Sequence, residues 1–121
     1  MPQWYGVWNS ALPVAACVAN VTGTQASALT GSQSQIPPNV LAVTVASGGA
    51  GYSVVLPPSS VGAQVDVQLI TASNTAAVFP APGDAINAIA VNSAITMSAL
   101  TSTTFTCVTQ GQWFTNPRVP S

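Results

Sequence analysis

The chain has 121 residues, room for one compact domain with a modest core and too few for two. Only Asp66, Asp84 and Arg118 are charged and Lys, Glu and His do not occur, where an average soluble chain of this size carries roughly 30 charges. This composition argues against nucleic acid as a partner, because phosphate binding needs several cations, and against anionic membranes for the same reason.

A surface of Ser, Thr, Asn, Gln and Ala with a net charge of −1 favours association, so the composition points to a structural subunit of a larger assembly. Catalysis is poorly served. Without His, Lys or Glu no hydrolytic triad can be built, and Cys17 has no neighbouring base to activate it. Two Cys and two Asp without ligand spacing make no zinc or transition-metal site, so no cofactor and no metal are expected. Asp84, in PGDAIN, could contribute to a Ca²⁺ loop, but a loop Asp after Gly is more commonly a turn residue that bonds its own backbone. The protein is expected not to be an enzyme. No run of eighteen apolar residues exists, so no transmembrane helix is expected. The segment ALPVAACVANV at 11–21 resembles a signal-peptide apolar region, yet neither Lys nor Arg precedes it, and no cleaved signal is expected.

In chain order, residues 1–20 read as an N-terminal arm and 21–121 as a single β-domain. The arm concentrates Trp4, Tyr5 and Trp8 between Pro2 and Pro13, which suggests docking on its own domain or on a neighbour. These three are the candidate partner-binding anchors, since large aromatics dominate interface hot spots. Residues 21–35, small and polar, read as an exposed connection or edge strand, and no helix is expected. In VLAVTV, Leu41, Val43 and Val45 share one face; YSVVL stops at Pro57-Pro58; and in QVDVQLI, Val65, Val67 and Leu69 alternate with Gln64, Asp66 and Gln68. The stretch SVVLPPSSVGAQVDVQLITA, 53–72, therefore reads as a hairpin. AAVF, AINAIA, SAITM, TTFTCVT and QWFT follow as short strands, with Gln110-Gly111 as the last tight turn. Trp113 and Phe114 are assigned to core packing. Cys17 and Cys107 permit one disulfide or two buried thiols, the thiols being preferred in the absence of an export signal. The expected fold is all-β: an antiparallel β-sandwich or jelly-roll-like barrel of about eight short strands, with an extended N-terminal arm.

Several motifs carry a family resemblance. VVLPPSSVGAQVDV, VFPAPGDAINAI, NSAITM, TSTTFTCV and GQWFT follow one another within residues 51–115, and TQASALTGSQSQIPPNVLAVTV supplies a matching lead-in from about residue 24. In these the chain resembles a β-module of tailed-bacteriophage structural proteins, of the head decoration (cement) and head-fibre type. The resemblance implies a non-enzymatic decoration protein that binds the outside of an assembled head, commonly as a homotrimer, with the major capsid protein as partner. It places the protein on the virion exterior after synthesis in the host cytoplasm, with no nucleic acid, membrane or small-molecule partner. The alternative is a receptor- or carbohydrate-binding β-module of a phage tail or fibre.

Overall fold

The computed structural model describes residues 14–87 and 89–117. The fold is predominantly β, with nine strands among the described residues: β1 (Val14–Val18), β2 (Ala42–Ala46), β3 (Tyr52–Val55), β4 (Gln64–Leu69), β5 (Ala76–Phe79), β6 (Ala85–Ile86), β7 (Ile95–Met97), β8 (Ser102–Thr109) and β9 (Gln112–Pro117). They form two sheets, a large one in the order β1-β2-β4-β8-β9-β6 and a small one in the order β3-β5-β7.

The expected antiparallel sandwich or jelly roll is corrected by the pairing. β1 pairs β2 in parallel, β2 pairs β4 in parallel, and β3 pairs β5 in parallel. In the large sheet Val14 lies beside Ala42 and Ala42 beside Asp66, and in the small sheet Tyr52 lies beside Ala76. Each partner is one full winding further along the chain. The chain thus runs along the large sheet, turns a corner into the small one, and returns one strand over in its original direction, which is the winding of a short β-solenoid. Its later part departs from that winding, since β8 runs antiparallel to both β4 and β9, and β7 antiparallel to β5.

The supposed hairpin at 53–72 is one such corner. β3 and β4 belong to different sheets, and Pro57-Pro58 carries the chain between them. Proline supplies no N–H for a ladder, so it ends β3 without specifying where the next strand pairs.

Alternation sets the core as expected. Val43, Val45, Val65, Val67, Leu69, Phe105, Cys107 and Trp113 from the large sheet face Val54, Val78 and Met97 from the small one. Each buried Val, Leu or Phe contributes roughly 1.5–3 kcal/mol relative to an exposed one. Two assignments change: Leu41 is 53% exposed just before β2, and Phe114 is 40% exposed while its neighbour Trp113 is fully buried. Consecutive residues of one strand face opposite ways, so Trp113 and Phe114 cannot both enter the core.

Residues 21–35 also differ from expectation. They hold a helix, α1 (Gln25–Thr30), followed by a 3₁₀ turn at Ser32–Ser34. Thr24 caps α1 by accepting from the Ser27 N–H at 3.1 Å, while Ser27 Oγ accepts from the Thr24 N–H at 3.3 Å. This reciprocal pair satisfies two donors at the helix start. α1 packs on β3 and buries Ala28.

Two of the corners are closed by uncharged side chains bonded to backbone. Buried Ser47 donates from Oγ to the carbonyls of Gly49 at 2.7 Å and Thr75 at 2.9 Å, and its own carbonyl accepts from Asn74 Nδ2 at 2.8 Å. Ser53 Oγ donates to the Thr24 carbonyl at 3.0 Å, and the Ser53 and Asn20 backbones exchange bonds of 2.9 and 2.7 Å. At these corners hydroxyls and amides satisfy the buried backbone without charge.

Candidate functional site

Residues 1–13, and with them Trp4, Tyr5 and Trp8, lie outside the described residues. Residues 14–18, read from sequence as part of the arm, are β1 and form one edge of the large sheet. Cys17, on β1, and Cys107, on β8, are both buried and free. The order β1-β2-β4-β8 puts three strand spacings between them, about 14 Å, beyond the roughly 7 Å between Cα atoms that a disulfide spans. Burial raises the Cys17 thiol above its ordinary pKa, which makes it less nucleophilic. Among the described residues no group of three or more His, Cys, Asp or Glu is placed to hold a metal ion, and no helix is long and apolar enough to cross a membrane.

Asp84 differs from the turn residue expected. Its N–H donates to the Ala81 carbonyl at 2.9 Å, but its carboxylate reaches across the fold to Ser59. Oδ2 accepts the Ser59 N–H at 2.9 Å and Oδ1 accepts the Ser59 hydroxyl at 3.1 Å. Ser59 Oγ in turn accepts the Gly111 N–H at 2.9 Å, and its carbonyl accepts from Gln110 Nε2 at 3.0 Å. This node ties the 57–62 corner to the β8–β9 turn. An Asp with both oxygens engaged by Ser59 is a structural clamp.

The corner so held forms one wall of a cleft of about 710 Å³. The cleft lies where the chain enters β2 and β4, and its walls include Pro37, Pro38, Pro57 and Pro58 together with Leu41 and Val61. Leu41 and Val61 are 53% and 63% exposed. The walls are joined by a bond of 3.2 Å from the Asp66 N–H to the Leu41 carbonyl. Asp66 and Trp113 also line it, and Asp66 Oδ1 and Trp113 Nε1 are buried atoms with no hydrogen-bond partner among the described residues. An unpaired buried polar atom costs about 1–3 kcal/mol, more when charged.

The second feature is the outer face of the large sheet. Its first row, read across register, is Val14, Ala42, Asp66, Thr104 and Asn116; the next is Ala16, Thr44, Gln68 and Ser102. Val14 and Val18 on β1 are 64% and 49% exposed, and Gln64 and Gln68 on β4, two strands over, are exposed as well. Asp66 is the only charge in these rows. Sequence reasoning placed Gln64, Asp66 and Gln68 on this face through their alternation. It missed β1, whose place at the edge follows only from parallel pairing.

No protein-family model matches the chain, and no curated protein or solved structure is significantly similar to it. The phage-module resemblance therefore rests on the motifs quoted above.

Proposed function

We propose that this chain is a non-enzymatic structural subunit, a decoration (cement) protein that binds the outside of an assembled phage head as a homotrimer and stabilises it against disassembly. The observation that carries the reading is the outer face of the large sheet. It is a pleated surface of Val, Ala, Thr, Ser and Gln with one charge, ending at an edge strand whose backbone is paired on one side by β2. Soluble monomers blunt such edges with Lys, Pro or bulges, and the described part of β1 carries none of these. A face with so little charge loses less on desolvation than a charged one, because buried unpaired charges are costly.

The mechanism is mass action. A ligand that binds the assembled shell and not the free subunits shifts the equilibrium toward the shell, and three footprints joined rigidly bind with far greater avidity than one. The partners are the major capsid protein and the chain itself, on the virion exterior after synthesis in the host cytoplasm.

Light scattering on the full-length protein tests the reading, followed by cosedimentation with assembled shells and with free coat subunits. A stable trimer that sediments with shells and not with free subunits is the expected result. A well-behaved monomer would sink the trimeric cement model. Selective retention on a glycan array would favour the receptor- or carbohydrate-binding module instead.

A further inference from the structure

Where β1, β2 and β4 finish, the outer face of the large sheet carries a third row, and this one holds no polar side chain. Val18 is in register with Ala46, and the ladder continues one residue past β4, where the Ile70 N–H donates to the Val45 carbonyl at 3.0 Å and sets Ile70 beside Ala46. On the other side the Leu69 N–H donates to the Thr101 carbonyl at 2.9 Å, and the antiparallel register of Gln68 with Ser102 brings Leu100 level with Ile70. Val18, Ala46, Ile70 and Leu100 thus form one apolar row three strand spacings long, about 14 Å. Ile70 is 53% and Leu100 65% exposed. Asp66 stands two rows away, roughly 14 Å along β4, so the charge of this face lies outside the row.

Leu100 is unusual in a second way. The non-glycine residues of positive φ among those described are Asn39, Asn87, Asn92 and Leu100, the last at 59°. Asn tolerates this region, whereas the Cβ of a Leu crowds the following carbonyl there. Within its own chain Leu100 gains little in return, because its side chain lies mostly in water. A residue that strains the backbone and still stays exposed is accounted for by a contact outside the chain.

The order of sizes in the row suits a second copy. Turned about a two-fold axis that runs along the strands between Ala46 and Ile70, a second copy lays the same row on the first in reverse. Ile70 then meets the second copy's Ala46, and Leu100 meets the second copy's Val18, so each of the two most exposed side chains faces a smaller one. A second copy also brings an uncharged row, where an average protein is about a quarter charged.

We infer that this row is a two-fold contact between copies of the chain, with Leu100 as its anchor. The contact is separate from the three-fold contact of the proposed trimer and does not depend on that reading. Four residues a side are far fewer than the roughly 20–30 of a standard interface, so a single contact is weak and gains strength where subunits are already joined.

Sedimentation equilibrium on the full-length chain, from micromolar to about millimolar concentration, tests the contact against Leu100→Asn. The wild-type mass is expected to rise toward twice that of the variant at the same concentration, whether the smaller unit is a monomer or a trimer. Leu100→Asn should keep or raise the urea midpoint, since Asn relieves the backbone strain, so that a lost contact is not lost folding. Ala46→Ile should also abolish the doubling, by setting Ile against the second copy's Ile70. Ala46→Ile combined with Ile70→Ala exchanges the two sizes and should restore it, a rescue that a foreign partner of fixed shape would not give.

Equal masses of wild type and Leu100→Asn over the whole range would overturn the inference. So would a lowered midpoint in Leu100→Asn, which would make Leu100 a part of its own fold, or a double exchange that fails to restore the doubling. A doubling without a trimer would leave the inference standing and remove the trimeric cement model, whereas a trimer that never doubles would overturn the inference and leave that model intact.

Discussion

Asp84 shows how much one carboxylate does in a chain with so few. Its two bonds to Ser59, at 2.9 and 3.1 Å, hold the corner that walls the cleft and, through Ser59 Oγ, the Gly111 N–H of the last turn. Asp84→Ala removes both acceptors from a partly buried site and is expected to cost about 2–3 kcal/mol, read as a lower urea midpoint with unchanged slope. That Asp84 sits in a loop was legible from PGDAIN. That its partner is Ser59 was not, because the two are far apart in the chain and belong to different corners. The opposite case is Trp113-Phe114, where strand alternation alone excludes a shared core position and the sequence held the signal that separates them.

The strands came through well because alternation is local. Val65, Val67 and Leu69 are buried as their spacing requires, and so are Phe105 and Cys107. α1 escaped because it is only a short helix and its capping box uses Ser27 where Glu or Gln is the usual sign. β1 was hidden inside the arm, since VAACV has no alternation to distinguish an edge strand from an apolar tail. Its exposed position makes a direct test at the scale of one element. Val18, 49% exposed opposite Ala46, should accept Lys with less than about 0.5 kcal/mol change in stability, while a trimer assembled through this edge should fall apart into monomers. Light scattering and thermal unfolding on Val18→Lys read the two effects separately, and an intact trimer would move the subunit contact elsewhere.

At the scale of the whole molecule, the scarcity of ionisable groups becomes a property. The sequence contains no His, so no side chain of ordinary pKa titrates between about pH 6 and 8, and stability should be flat there by chemical denaturation. Above about pH 8.5 the sign is set by Cys17. Burial holds its folded-state pKa above the unfolded one, so the unfolded chain loses its proton first. The unfolded state then binds fewer protons than the native state, and stability falls as pH rises through the window between the two values. Cys17→Ala should reduce this alkaline loss, and an equal slope in the variant would assign it to another group.

The sequence by itself determined the near absence of charge, the predominance of strands and the faces those strands bury, because each depends on residue type or on a period of two along the chain. The two buried cysteines are free, as preferred from the sequence. Only the tertiary structure decided which strands are neighbours. A strand ended by Pro57-Pro58 can fold back on its predecessor or turn a corner to another sheet, and the choice rests on pairings such as Val14 with Ala42 and Tyr52 with Ala76, a full winding apart, that no local pattern encodes. The cleft is a consequence of that choice: residues 37–41, 57–66, 104 and 113 meet only because parallel winding brings the entrances of β2 and β4 side by side.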